Sequence, residues 1–364
     1  MKILFHLGHP AHFHLFKNII ISLKNDHHQV IILIKKKDIL EDLLKESAFE
    51  YVNILPKGRK DGKIGIAIGI IKRDLRLFKF CITNRPNLLI GTSAEIGHVG
   101  TLLNIPSINV NEDDVTVINT FAKISYPWND FILSPIVCNN VSWQKKTIPY
   151  NGYHELAYLH PNNFEASKSN IKKYITQNEV FFLIRFAQFN AHHDNGISGI
   201  NTKLAIQIFK LLEPYGKIYI TSERELEPEF EKYRISINYT NIHHILAFAT
   251  LYIGDSQTMA AEAGVLGIPF IRFNDFVGRI GYLNELENKY KLGFGFKTDQ
   301  TEEMLLKIKE LLKMKNIKQE WNNRRRNMLS EKIDVAKFMT WFIEDYPKSV
   351  KIMKENPDYQ YRFR

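Results

Sequence analysis

Residues 8–14 read GHPAHFH, three histidines around a glycine and a proline, directly after the apolar run KILFHL at 2–7. Imidazole titrates near neutral pH and can take a proton from a hydroxyl, so a histidine held at such a turn is a candidate general base. His12 is the leading candidate and His9 its neighbour, while Gly8 lets backbone approach a ligand and Pro10 fixes the turn. His12 could equally cap a helix or only bind substrate. A second stretch, GTSAEIGHVG (91–100), offers Thr92 and Ser93 as helix caps, Glu95 in the first turn and His98 three residues on. A third, NVNEDDV (109–115), packs Glu112, Asp113 and Asp114 together. Such dense negative charge can hold sugar hydroxyls or supply a base, although the helix dipole alone also favours acidic residues in first turns.

The second half of the chain carries its own candidates. In YIGDSQTMAAEAGVLGIPFIRF (252–273) a strand ends at Gly254 and Asp255, Ser256, Gln257 and Thr258 lead into a helix. The unpaired amides and positive end of such a helix can hold phosphate, and Glu262 lies where a carboxylate could accept from ribose hydroxyls. An ordinary capped helix has the same local sequence. In IRFAQFNAHHDNGISG (184–199) Arg185 ends a strand and can clamp a diphosphate, while Asn190 and His192 offer contacts to sugar or phosphate oxygens. Adjacent histidines and adjacent carboxylates point in different directions, so neither cluster is expected to bind a metal.

These loops need strands to position them. KILFHL (2–7), QVIILI (29–34), YVNIL (51–55), NLLIG (87–91) and PSINV (106–110) read as strands, separated by helical spacing over 12–24, 38–47, 63–80 and 94–104. The alternation restarts with EVFFLIR (179–185), GKIYIT (216–221), TLYIG (250–254) and PFIRF (269–273), and residues 301–345 are helical in pattern. Strand–helix alternation predicts α/β architecture with parallel sheets covered on both faces. Two such sheets in series predict a first domain over 1–155, a second over 156–345, and a basic aromatic tail over 346–364. The length of 364 residues suits two domains.

Lys and Arg exceed Asp and Glu by 49 to 39, a net charge of +10 that favours anionic partners. Nothing matches a nucleic-acid-binding signature, so nucleic acid is not expected. The two cysteines, Cys81 and Cys138, match no metal or redox spacing, which fits a reduced cytoplasmic setting. His6 and His9 break the first apolar run, so it reads as strand and turn rather than a signal peptide, and no transmembrane helix is expected. The tail could pack on the first domain or touch the inner face of a membrane.

The segment with Ser256, Glu262, Gly267 and Pro269 resembles the donor-nucleotide segment of GT-B glycosyltransferases and of non-hydrolysing UDP-GlcNAc epimerases. Together with GHPAHFHLFKNI, GTSAEIGHVG, NVNEDD and YNGYHELAYLHP, it also resembles a prokaryotic domain-of-unknown-function family of the GT-B superfamily. That resemblance implies two facing Rossmann-like domains with an interdomain cleft and a nucleoside-diphosphate-sugar donor in the second domain. It further implies a hydroxyl acceptor (a glycan or lipid-linked one) and no cofactor beyond the sugar nucleotide. His12 matches the position of the transferases' acceptor-activating histidine, with Glu112 as the other candidate, and Asn274 and Asp275 would lie near the transferred sugar. Glycosyl transfer in surface-polysaccharide or glycolipid assembly is the function implied. The epimerases place an aspartate where this chain has Thr92, which cannot abstract a proton, so epimerisation or hydrolysis is the alternative. A non-catalytic polyanion-binding protein is the third reading.

Overall fold

The computed structural model describes residues 1–55, 63–176, 178–187 and 199–364, in two compact units. Unit 1 comprises Met1–Asn163 and Ile333–Arg364, and unit 2 comprises Phe164–Lys332.

Unit 1 is built on a seven-stranded parallel sheet: β1 (Lys2–Leu7), β2 (Gln29–Lys35), β3 (Val52–Leu55), β4 (Leu88–Gly91), β5 (Ser107–Val110), β6 (Phe131–Pro135) and β7 (Thr147–Tyr150). The order is β3-β2-β1-β4-β5-β6-β7, so the chain reverses its direction of sheet growth between β1 and β4. The helices are α1 (Pro10–Asn25), α2 (Leu40–Glu46), α3 (Lys63–Asn84), α4 (Glu95–Leu103), α5 (Asn119–Ser125) and the short α6 (Leu156–Leu159). β1 is mostly apolar and, from Ile3 on, buried on both faces, as a central parallel strand requires. In α1, Phe13, Phe16, Ile19, Ile20 and Leu23 recur at helical spacing and are buried.

Unit 2 holds β8 (Phe181–Phe186), β9 (Lys217–Ser222), β10 (Leu251–Gly254), β11 (Phe270–Phe273) and β12 (Gly293–Phe296), all parallel in the order β12-β11-β10-β8-β9. Its helices are α7 (Lys168–Ile171), α8 (Thr202–Leu212), α9 (Ile242–Leu246), α10 (Gln257–Leu266), α11 (Gly281–Asn284), α12 (Thr301–Lys313) and α13 (Ile317–Glu331). The order reverses between β8 and β10.

Both reversal points share one device. Gly91 ends β4 opposite His6 of β1, and a Cβ there would stand 2.6 Å from the His6 carbonyl oxygen. Gly254 ends β10 opposite Arg185 of β8, where a Cβ would stand 2.9 Å from the Arg185 carbonyl oxygen. Only glycine lets the strands close to pairing distance at the point where open α/β sheets place their ligands.

The last two helices, α14 (Val335–Glu344) and α15 (Lys348–Glu355), return to unit 1. Residues 156–163 and 333–345, expected in the second domain, pack with unit 1 in the structure. The reason is α14, whose buried Phe338, Met339, Phe342 and Ile343 lie against α1 and α6. The tail over 346–364 is ordered on the same unit. The ring of Trp341 stacks with Tyr359 at 4.8 Å and with Phe363 at 5.3 Å. Gln360 accepts the Asn151 amide at 2.6 Å.

Candidate functional site

In unit 1 the candidate residues gather at the carboxyl ends of β1, β4, β5 and β7. His9, not His12, caps α1: its Nδ1 accepts from the Ala11 amide at 3.2 Å. His12 sits one turn in. The Gly8 amide donates to His12 Nδ1 at 3.0 Å, and Thr92 Oγ1 lies 2.8 and 2.9 Å from the two ring nitrogens. A neutral ring that accepts at Nδ1 carries its proton on Nε2. Burial, then the charges of His9, Lys35, His154 and His6, hold the His12 pKa well below its ordinary value. His12 is therefore neutral, with its lone pair already occupied by Gly8.

His154, in the loop after β7, has the opposite arrangement. Glu112 Oε1 lies 3.2 Å from His154 Nδ1, and Glu112 Oε2 accepts the His154 backbone amide at 3.0 Å. A carboxylate can only accept, so the proton sits on Nδ1 and the lone pair on Nε2. That Nε2 is buried and has no hydrogen-bond partner among the described residues. Burial lowers the His154 pKa to about 3, against the opposing charge of Asp113. The loop runs beside α1, where Asn18 donates to the Ala157 carbonyl at 2.9 Å and the His14 ring lies 5.4 Å from that of Tyr158. His154 lies within YNGYHELAYLHP and is not among the candidates expected from the sequence. The only available signal was a histidine four residues past a strand end.

Asp114 has a structural partner: its Oδ1 accepts the Asn139 amide at 2.9 Å, and the backbone amide of Asp113 donates to Asn111 Oδ1 at 2.8 Å. Cys138 donates to the Glu112 carbonyl at 2.8 Å. Glu95 is buried and ion-paired with buried Arg73 of α3. Burial would raise its pKa, but His6, Arg73 and Lys35 bring it down to about 2. Ser93 Oγ lies 2.6 Å from Nδ1 of His6, a fully buried histidine whose pKa burial lowers to about 4. Lys35 reaches the β1–α1 turn, where a Cβ on Gly8 would stand 3.3 Å from its amine.

In unit 2 the residues around α10 divide into two sets. Ser256 caps the helix, its Oγ facing the Met259 amide at 3.5 Å, and Gln257 and Thr258 follow half-buried in the first turn. Arg185, on the strand paired with β10, bonds Glu223 at 2.6 Å through one terminal nitrogen and has an unpartnered Nε among the described residues. The helix amino terminus follows Gly254, whose strand partner is Arg185, and amides and a guanidinium are the groups that suit a diphosphate.

The remaining candidates brace that arrangement. Asp255 is buried, and its oxygens accept the amides of Ala187 at 2.6 Å and Ile200 at 3.2 Å. Burial outweighs those bonds and raises its pKa to about 6. Asn274, fully buried, donates to the Asp255 carbonyl at 2.8 Å and accepts the Phe276 amide at 3.0 Å. Asp275 accepts the Thr298 hydroxyl at 2.6 Å. Glu262 is buried with Oε1 2.9 Å from His243 Nε2 of α9, so a ribose would share this carboxylate with His243. Arg272 of β11 forms a buried two-bond pair with Glu287 at 2.9 and 3.1 Å, a contact that no local sequence pattern marks. Asn190 and His192 lie outside the described residues.

Among the described residues no group of three or more His, Cys, Asp or Glu side chains is placed to hold a metal ion. None of their helices is long and apolar enough to cross a membrane.

Residues 1–279 match the family described as "Protein of unknown function (DUF354)". The chain belongs to the DUF354 family. No curated protein matches the DUF354 chain in sequence. Solved structures do match it in fold. The MnaA–UDP structure from S. aureus superposes with a TM-score of 0.66 at 12% identity, covering 96% of this chain and 98% of that one. The UDP-GlcNAc 2-epimerase from Neisseria meningitidis, bound to UDP-GlcNAc, gives 0.61 at 13% identity, covering 91% and 99%. The spinosyn rhamnosyltransferase SpnG, complexed with spinosyn aglycone, gives 0.59 at 13%, covering 94% and 100%. The DUF354 chain therefore has the GT-B fold, with two Rossmann-like units of seven and five parallel strands. That fold is shared by sugar-nucleotide epimerases and glycosyltransferases alike.

Proposed function

We propose that this DUF354 protein transfers a glycosyl group from a nucleoside-diphosphate sugar to a hydroxyl acceptor. The observation that carries this reading is the amino terminus of α10 opening beside Arg185 at the strand reversal of unit 2. Its amides and the guanidinium match the charge that grows on a departing diphosphate. Unit 1 supplies acceptor activation. His154 Nε2 takes the acceptor hydroxyl proton, the acceptor oxygen bonds to the sugar's anomeric carbon, and the bond from that carbon to the diphosphate oxygen breaks. Glu112 stabilises the imidazolium that forms. Thr92 stands where the epimerases have an aspartate, which favours transfer over epimerisation.

Thermal stabilisation by a panel of nucleoside diphosphates and their sugars tests the donor site, since a ligand of the folded state raises the melting midpoint. A shift with one nucleotide class, lost in Arg185→Ala, is expected. No shift with any member overturns the assignment. Incubation with the stabilising sugar nucleotide alone then separates the chemistries, because a new epimer without acceptor identifies an epimerase.

A further inference from the structure

The outer faces of α3, α4 and α5 carry a surface that neither candidate site uses. Ile71 and Leu75, one turn apart on α3, are 58% and 55% exposed; Leu102 of α4 is 71% exposed, and Trp128, just past α5, is 49% exposed. His98 of α4 joins these elements. Its Nδ1 lies 3.1 Å from the Asp74 carboxylate of α3, its Nε2 lies 2.9 Å from the Ile124 carbonyl oxygen, and the Trp128 ring stands edge-on to it at 5.8 Å. Thr101, beside Leu102, donates to the Trp128 carbonyl at 2.9 Å. These bonds tie the exposed side of α3, which carries Ile71 and Leu75, through Asp74 and His98 to the segment that carries Leu102 and Trp128. Single exposed apolar residues need no explanation, but a contiguous set marks an interaction surface.

Cations are interleaved with this set. Lys72 and Lys79 are exposed on α3 and Lys123 on α5, while the guanidinium of Arg76 is turned to the Ile54 carbonyl of β3. The acids among them are engaged: Asp74 with His98, and Asp130 with the Ser107 amide at 2.8 Å. Aliphatic and indole groups ringed by lysine and arginine form the pattern of helices that lie in a lipid interface. A second copy of the chain would bring like charges together across a two-fold axis, whereas anionic headgroups complement them.

We infer that the α3–α5 face docks unit 1 on an anionic membrane surface, with Ile71, Leu75, Leu102 and Trp128 at headgroup depth and Lys72, Lys79 and Lys123 against the headgroups. This does not depend on the proposed reaction. It also differs from the expectation for the tail, whose rings are stacked within unit 1.

The test is co-sedimentation of the full chain with phosphatidylcholine vesicles prepared with and without phosphatidylglycerol. Binding is expected only with phosphatidylglycerol, weakened by added salt and accompanied by a blue shift of fluorescence that Trp128→Phe removes. Lys72→Glu with Lys79→Glu, and separately Ile71→Ser with Leu75→Ser, should each lower partitioning by about ten-fold or more, with circular dichroism unchanged. Absence of wild-type binding, or binding that neither pair alters, overturns the inference. So does a dimer in sedimentation velocity that the apolar pair dissociates, which would make the face a self-association surface.

Discussion

Glu112 grips His154 twice, through Nδ1 at 3.2 Å and through the backbone amide at 3.0 Å. The grip sets the tautomer and leaves the lone pair on Nε2, which is buried and unpartnered among the described residues. In His12 the lone pair faces the Gly8 amide instead. His154→Ala should therefore lower kcat by about 100- to 10,000-fold, the range of general-base catalysis, with little change in KM. Glu112→Gln should act in the same direction to a smaller extent, because an amide can still accept from Nδ1. His12→Asn should retain most turnover, since Asn Oδ1 can still accept from Gly8. Steady-state kinetics on the three variants decides between the histidines. Full activity in His154→Ala together with its loss in His12→Asn would return the base to His12.

The loop carrying His154 is shaped by the returning carboxyl terminus. A Cβ on Gly152 would stand 2.3 Å from Val335 Cγ2, and the Ile333 amide donates to the Asn151 carbonyl at 3.1 Å. Gly152→Ala is expected to cost about 1–3 kcal/mol, the usual range for overpacking. Val335→Ala in the same chain should recover part of it. Urea unfolding of the single and double variants measures this coupling, and additive losses would mean that the two residues do not press on each other.

The buried Arg73–Glu95 pair makes a different prediction. Removing one partner strands a charge, so Glu95→Leu should cost about 3–5 kcal/mol, while Arg73→Met with Glu95→Leu should cost much less than the sum of the singles. Glu95 is held at about 2, below its ordinary 4.5. Its contribution is therefore complete above pH 4.5 and is lost as pH falls through 2. Chemical unfolding at neutral and acid pH tests both statements. A double variant as unstable as the added singles would refute the pairing.

The sheets were legible where strands are long and mostly apolar, as in KILFHL and EVFFLIR. The three strands not anticipated, FILSP, TIPY and GFGF, contain proline or glycine and span at most five residues, so neither length nor alternation marks them. The α10 start was legible because its cap and glycines are local. The partners of Glu95, Glu112 and Glu262 were not: Arg73 is 22 residues away, His154 is 42 and His243 is 19. Contacts brought about by the crossovers leave no local pattern. For the same reason Asp255 looked like a ligand contact in sequence, whereas its oxygens tie the chain at 187 to the chain at 200.

Asp255 carries the last prediction. Its pKa is raised from 3.8 to about 6, chiefly by burial. The folded state therefore holds a proton that the unfolded chain has released. The stability linked to that proton is complete below pH 3.8 and is lost as pH rises through 6. A shift of this size corresponds to about 3 kcal/mol. Asp255→Asn keeps an oxygen for one of the two amides but cannot ionise. Relative to wild type it should gain stability as pH rises from acid to neutral, by up to about 3 kcal/mol. Denaturant titrations of both proteins at several pH values give the difference directly. A difference that stays constant across the range would mean that Asp255 titrates as an ordinary carboxylate, with its two amide bonds cancelling the effect of burial.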